Sequence, residues 1–345
     1  MNARLLPLAA LVFAGALLTQ CRHGTVAGGA PAASMPVEAL EVSTLLDLRD
    51  SRLEELRVSA NGTLLFTRWA LPEGAFDYRV VRLPDGAPVW SWRGRLRNDL
   101  WHLALSPDGT AGFVFLPLGP EAPFIIFRDS GAPIPMTDVE FTGGAWASGS
   151  GWFGGSAGAY NADGTLLGSP VPDWVKVKDE LFMTGTRPNT LRYMHGGSVM
   201  EWDGRSPPTV VGAWQCASRV EQHRLSPKAP GRFSPDGRYI AWILQASSAL
   251  TVCDGESGLE FQIASSLAPA AWTDSRHLWW LDAGDLAGMD VLTRESLPRI
   301  QLPGGAKAVS LAASTQPPAL FVGTGTGHLF RVPLSHESSG KAVPE

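Results

Sequence analysis

Beyond residue 50, apolar and polar positions alternate in short runs broken by turn-forming residues. No segment there keeps an apolar residue at every third or fourth place for a useful length, so the pattern predicts strands and no long helix. Two runs share one plan, LALSPDGTAGFVF (103–115) and GRFSPDGRYIAWI (231–243). In each, an alternating strand enters a Ser-Pro-Asp-Gly turn and a strand rich in β-branched and aromatic residues leaves it. The turn residues have separate jobs. Pro107 and Pro235 preset φ at the first central position, Asp108 and Asp236 bond back to the backbone, and Gly109 and Gly237 accept positive φ. Such a turn between alternating runs signals a hairpin.

Degenerate copies extend the pattern: RVSANGTLLF (57–66), GAWASGSGWF (144–153), AWTDSRHLWW (271–280), VSLAASTQPPALFV (309–322) and, more distantly, WVKVKDELFM (174–183). The turns fall near residues 60, 107, 149, 178, 235, 274 and 316, a repeat of about 43 residues. The uneven spacing around 178 implies a misplaced copy or an insertion near 215–230. Second-half hairpins follow at RVVRLPDGAPVW (79–90), ALTVCDGESGLEF (249–261) and GHLFRVPL (327–334). Four strands per repeat and seven repeats predict an all-β chain folded as one seven-bladed propeller over residues 37–335, with six or eight blades as alternatives. Residues 37–50 lack an early partner and are expected to supply the outer strand of the last blade, closing the ring. The Ser-Pro-Asp-Gly strand pairs resemble the repeats of TolB-like and WD-repeat-like bacterial propellers. That resemblance implies a blade and names no partner. The segment VGTGTGHLF (322–330) resembles repeats of quinone-dependent dehydrogenase-like propellers, but one copy does not argue for a quinone, and no cofactor is expected.

The amino terminus follows a different pattern. In MNARLLPLAALVFAGALLTQC, Arg4 precedes an apolar run from Leu5 to Leu18, which suits a secretory signal and is short for a spanning helix. The following Leu18-Thr19-Gln20-Cys21 resembles the lipobox of bacterial lipoproteins. The resemblance implies cleavage of residues 1–20 and lipid attachment at Cys21. Gln20 stands where a small residue is usual, and the alternative is an ordinary signal peptide cut after Ala27 or Ala33. Residues 22–36, small, polar and rich in Gly and Pro, suit a flexible tether. Arg22 replaces the aspartate that would favour inner-membrane retention, so an outer-membrane anchor facing the periplasm is expected, with a soluble periplasmic or secreted protein as alternative. Residues 336–345 read as a disordered tail.

Composition narrows the function classes. With 44% hydrophobic and 18% charged residues in 345, the chain can build a core. Its 38 Gly, 27 Pro and 13 Trp suit many short, half-buried strands. A net charge of −5 and the lack of a basic stripe exclude nucleic acid as an expected partner. Cys216 and Cys253 fall within one repeat. Export permits their pairing, and two buried apolar thiols are the alternative.

Catalytic motifs find little context. Gly154-Gly155-Ser156-Ala157-Gly158 has the spacing of a nucleophile elbow, which needs a following helix, whereas strand and turn residues follow. His195-Gly196-Gly197-Ser198 lacks the hydrolase fold that would give it meaning. The histidines at 23, 102, 195, 223, 277, 328 and 336 are too scattered for a local metal motif. No catalytic or metal-binding residue is nominated. The favoured reading is a monomeric, non-enzymatic envelope lipoprotein whose propeller binds a protein or cell-wall glycan. A propeller enzyme of lactonase, lyase or glycan-hydrolase type, with residues converging on the central channel, is the alternative, and a small-molecule sensor the third. Exposed Trp69, Trp90 and Trp92 would mark a partner-binding face.

Overall fold

Seven small antiparallel sheets stand in a ring, each built from consecutive strands of one repeat. The computed structural model describes residues 38–40 and 51–334 apart from 84, 95–101, 116–123, 129–130, 137–143, 156–157, 168–181, 196, 217–231, 245–248 and 265–268. Strand β1 (Glu38–Leu40) precedes the first full blade, made of β2 (Arg52–Val58), β3 (Leu64–Ala70), β4 (Phe76–Arg82) and β5 (Pro88–Gly94). Blade 2 holds β6 (His102–Leu105), β7 (Ala111–Phe115), β8 (Phe124–Arg128) and β9 (Ile134–Met136). Blade 3 holds β10 (Gly144–Trp146), β11 (Trp152–Gly155) and β12 (Gly158–Asn161). Blade 4 holds β13 (Phe182–Thr184), β14 (Leu191–His195), β15 (Ser198–Trp202) and β16 (Thr209–Ala213). Blade 5 holds β17 (Arg232–Phe233), β18 (Tyr239–Leu244), β19 (Ala249–Asp254) and β20 (Glu260–Ala264). Blade 6 holds β21 (Ala270–Trp272), β22 (His277–Asp282), β23 (Asp285–Asp290) and β24 (Glu295–Ile300). Blade 7 holds β25 (Ala308–Thr315), β26 (Pro318–Thr324) and β27 (Leu329–Pro333), with β1 as its fourth strand.

The ring closes as the chain pattern requires, with Glu38 opposite Arg331 and Leu40 opposite Leu329. GHLFRVPL therefore carries one strand of blade 7 where the sequence suggested two. Blade 3 departs from the four-strand plan. Among the described residues its fourth position is held by a single bridge from Tyr160 to Leu166. The fourth repeat also needs correction. Its first turn spans residues 185–190, not the neighbourhood of 178, because β13 begins only at Phe182. The suspected insertion at 215–230 falls almost wholly outside the described residues.

Each blade is apolar on both faces, so each sheet is sealed by its two neighbours. Phe66, Tyr78, Val80 and Trp90 of blade 1 pack with Leu103, Val114 and Phe127 of blade 2. Leu53, Leu65, Trp69 and Val81, on the opposite face, pack with Ala312, Phe321 and Leu329 of blade 7. The alternation of β3 therefore feeds two cores at once. Trp152 and Trp202 meet edge to face at 5.5 Å between blades 3 and 4.

The turn residues bind the blades together near the inner strands. Ser106 Oγ accepts the amide of Ala111 at 3.0 Å, and Ser234 Oγ that of Tyr239 at 2.9 Å, which pins the first residues of the second strand. The same hydroxyls donate to Asp108 and Asp236 at 2.7 and 2.6 Å. Successive turns then join across blades. Gln316 N donates to Ala60 O at 2.9 Å, Asn61 N to Pro107 O at 3.1 Å, Asp108 N to Ser150 Oγ at 3.2 Å, and Ser148 N to Thr190 O at 2.9 Å.

Cys216 and Cys253 are disulfide-bonded. The bond does not lie within one repeat, as the linear reading placed it. Cys216 follows the outer strand of blade 4, whereas Cys253 lies on the third strand of blade 5. Gln215 N donates to Gly255 O at 2.9 Å beside it, so the covalent link and a backbone link seal the same seam.

Gly109 and Gly237 have φ of 67° and 76°. A Cβ at Gly109 would collide with Thr63 Oγ1 and Asn61 Oδ1, whereas one at Gly237 would meet only the flexible Met183 Sδ at 3.1 Å. Valine at either position should cost at least about 1–2 kcal/mol from φ alone, and Gly109→Val should cost more than Gly237→Val. Urea midpoints measure the order. Replacing both cysteines by serine opens a span of 37 residues in the unfolded chain. Loop-closure entropy then predicts a loss of about 4 kcal/mol; denaturant curves with unchanged midpoints would contradict it.

Candidate functional site

The seven inner strands β2, β6, β10, β13, β17, β21 and β25 surround the ring axis. Most are built from small or apolar residues, as in GAW, AAW and AVSLAAST. Strand β2, RLEELRV, is the exception and carries four charges. Register places Glu55 opposite Arg68 on β3. Arg68 Nη2 reaches Glu54 Oε2 at 2.7 Å, Arg52 Nη2 reaches Glu54 Oε1 at 2.7 Å, and Arg57 Nε reaches Glu55 Oε1 at 2.7 Å. Arg57 Nη1 also donates to the Leu103 carbonyl of blade 2 at 2.6 Å. The Arg68 guanidinium lies 5.2 Å from the centre of the Phe76 ring, which fixes its plane.

A second cluster lies on the outer half of the same blade. Asp77 and Arg79 share one face of β4, and register sets Arg93 of β5 directly opposite Asp77. Asp77 is buried. It receives Arg79 Nε at 2.8 Å and Arg93 Nη2 at 2.6 Å. Asp77, Arg79, Ser91 and Arg93 contribute to a groove of about 280 Å³. Each cluster holds one more guanidinium than carboxylate. Their outermost members, Arg52 and Arg93, keep 72% and 56% of their side-chain surface exposed.

Burial works against the charge on Asp77, but the hydrogen bonds and fields of Arg79 and Arg93 outweigh it and hold the carboxyl below its ordinary value. Burial likewise opposes the charge on Glu54, and Arg52 and Arg68 prevail. Neither carboxyl carries a proton to donate near neutrality. The arrangement suits recognition of anionic groups by guanidinium donors better than general acid catalysis.

The residues singled out from sequence divide clearly. Pro107, Asp108, Gly109, Pro235, Asp236 and Gly237 all occupy turns, and Pro107 and Asp108 also bond to the turns of neighbouring blades. Asp108 is held below its ordinary value, because its bonds from Ser106, Thr110 and Ser150 overcome burial. Trp69 and Trp90 are core residues on opposite faces of blade 1, which corrects the expectation of an exposed aromatic face; Trp92 is half-buried against Tyr78. The Gly-x-Ser-x-Gly segment spans the end of β11 and the start of β12, so no helix follows it. His195 and Ser198 end β14 and begin β15. His277 Nδ1 lies 2.6 Å from Asp274 Oδ2 in the first turn of blade 6. Cys21 lies outside the described residues. Among the described residues, no group of three or more His, Cys, Asp and Glu side chains is placed to hold a metal ion.

Neither arginine cluster was nominated from sequence. A signal existed, since charges at Glu54, Glu55 and Asp77 interrupt strands that are otherwise apolar inward. Only register, however, brings Arg68 and Arg93 to them. No protein-family model matches the chain, and no curated protein matches it. Function therefore has to be argued from these side chains.

Because Asp77 and Glu54 have folded values below their ordinary ones, their contribution to stability is complete above about pH 5 and is lost as pH falls through the folded values. Asp77→Asn should lower stability at neutral pH by about 1–3 kcal/mol and make the acid limb shallower. Parallel acid limbs for the two proteins, followed by circular dichroism, would show no linkage through Asp77.

Proposed function

We propose that the protein is an exported, lipid-anchored envelope protein whose propeller serves as a binding scaffold for a protein or cell-wall glycan. Blade 1 carries the reading: its two carboxylate clusters are saturated by arginine and leave cationic donors at the surface, Arg52 at the start of the inner strand and Arg93 on the outer strand. Such donors fit carboxylates of an acidic protein surface or acidic glycan. Export is supported by the apolar run before Cys21 and by the Cys216–Cys253 bond, which is characteristic of oxidising compartments. The tether 22–36 then joins the lipid to a propeller that begins with its own closing strand.

In-cell cross-linking followed by mass spectrometry of co-purifying material tests this reading, with Cys21→Ala as the untethered control. One dominant envelope partner, weakened in Cys21→Ala and reduced several-fold by Arg52→Glu or Arg93→Glu, is expected for exposed charges worth about 1 kcal/mol each. A clean protein with no bound protein or glycan would sink the scaffold and return weight to a propeller enzyme.

A further inference from the structure

Asp77 organises the outer half of blade 1. Its side chain is 5% exposed and takes two bonds from each flanking arginine. Arg79 donates from Nε at 2.8 Å and Nη2 at 3.2 Å, and Arg93 from Nε at 3.0 Å and Nη2 at 2.6 Å. Both guanidiniums are thus fixed in orientation before a ligand arrives, which lowers the ordering cost of binding one. Arg93 uses only its Nε–Nη2 edge in this way. Its Nη1 group bonds to nothing among the described residues, and the side chain is 56% exposed. Register sets Ser91 opposite Arg79 and two places before Arg93, so the three side chains share one face of the sheet. Ser91 is exposed, and its hydroxyl is likewise uncommitted among the described residues. On the other face of β5, Trp90 and Trp92 pack with blade 2, which holds the strand in place. Val81 and Pro88 add apolar walls to the groove.

We propose that this groove binds one carboxylated sugar residue, with its carboxylate on Arg93 Nη1 and a ring hydroxyl on Ser91 Oγ. The inference rests on the reading of blade 1 as an acid-recognising surface and names the ligand of that surface. Charge favours a carboxylate: two guanidiniums around one carboxylate leave a single positive charge, which a monoanion neutralises and a phosphate dianion exceeds. Size favours a single ring, because about 280 Å³ lies at the small end of ligand pockets. Ser91 both donates and accepts, as a ring hydroxyl requires, and the apolar walls suit the C–H edges of a sugar. An extended acidic peptide fits less well. It would need the free edge of β5, where Pro88 lacks an amide and a register shift between Val80 and Val81 interrupts the ladder.

A ligand-observed NMR titration of the exported, unlipidated Cys21→Ala chain tests it. The probes are D-glucuronate and N-acetylmuramate, with glucose and N-acetylglucosamine as neutral counterparts. The acids are expected to bind with a dissociation constant on the order of 1 mM, and the neutral sugars at least tenfold more weakly. Arg93→Gln should raise the constant for the acids at least tenfold and Ser91→Ala several-fold. Lys307→Gln, which removes an exposed cation from blade 6, should leave it unchanged. Should Arg93→Gln fail to fold because Asp77 loses a partner, Ser91→Glu decides: a carboxylate at that exposed position should abolish binding of the acids. No binding of either acid, neutral sugars or inorganic phosphate bound as tightly as the acids, or an affinity indifferent to Arg93→Gln and Ser91→Glu overturns the proposal. A glutamate-rich peptide that binds where the sugars do not also overturns it, yet leaves the scaffold standing. The scaffold falls only if cross-linking yields no partner.

Discussion

Every blade is apolar on both faces, and a sheet of that kind is stable only with a neighbour on each side. A row of such sheets always leaves two faces uncovered, whereas a ring leaves none. Closure is therefore the constraint on which the rest depends. It is met by three residues, Glu38–Leu40, which complete blade 7 against β27. The core of blade 1 against blade 7, including Trp69 and Phe321, exists only because the last blade returns to the first.

The seams between blades are reinforced in different ways. From blade 7 round to blade 4, backbone and side-chain bonds link one first turn to the next. Between blades 4 and 5 the disulfide and the Gln215–Gly255 bond do the equivalent work farther out. Glu201, wholly buried on β15, is met by Arg192 at 2.8 Å and by Arg187 from the first turn of blade 4. The Arg187–Glu201 pair ties the blade's turn to its own third strand. A charge without those partners would be costly at such a position.

Blade 1 carries two such clusters, whose charges are partnered yet reach the surface. Arginine saturates Glu54, Glu55 and Asp77, and the surplus guanidiniums face outward. A surface of that kind offers guanidinium donors and no carboxyl proton near neutrality, which is what favours the proposed scaffold over an acid–base enzyme.

The sequence by itself determined the all-β repeat, most of its turns and the favoured count of seven blades, because these are set within a few residues; the first turn of blade 4 escaped it. Ser-Pro-Asp-Gly fixes a hairpin wherever it occurs, and alternation fixes which residues enter the sheet faces. It also anticipated closure by residues 37–50, since those were left without a local partner. Only tertiary structure decided what register and blade-to-blade contact control. Arg93 meets Asp77 across sixteen residues, Cys216 meets Cys253 across a seam, and Trp69 and Trp90 turn inward to opposite cores. In each case the partners are remote in the chain, and their meeting depends on how sheets stack, which local pattern does not encode.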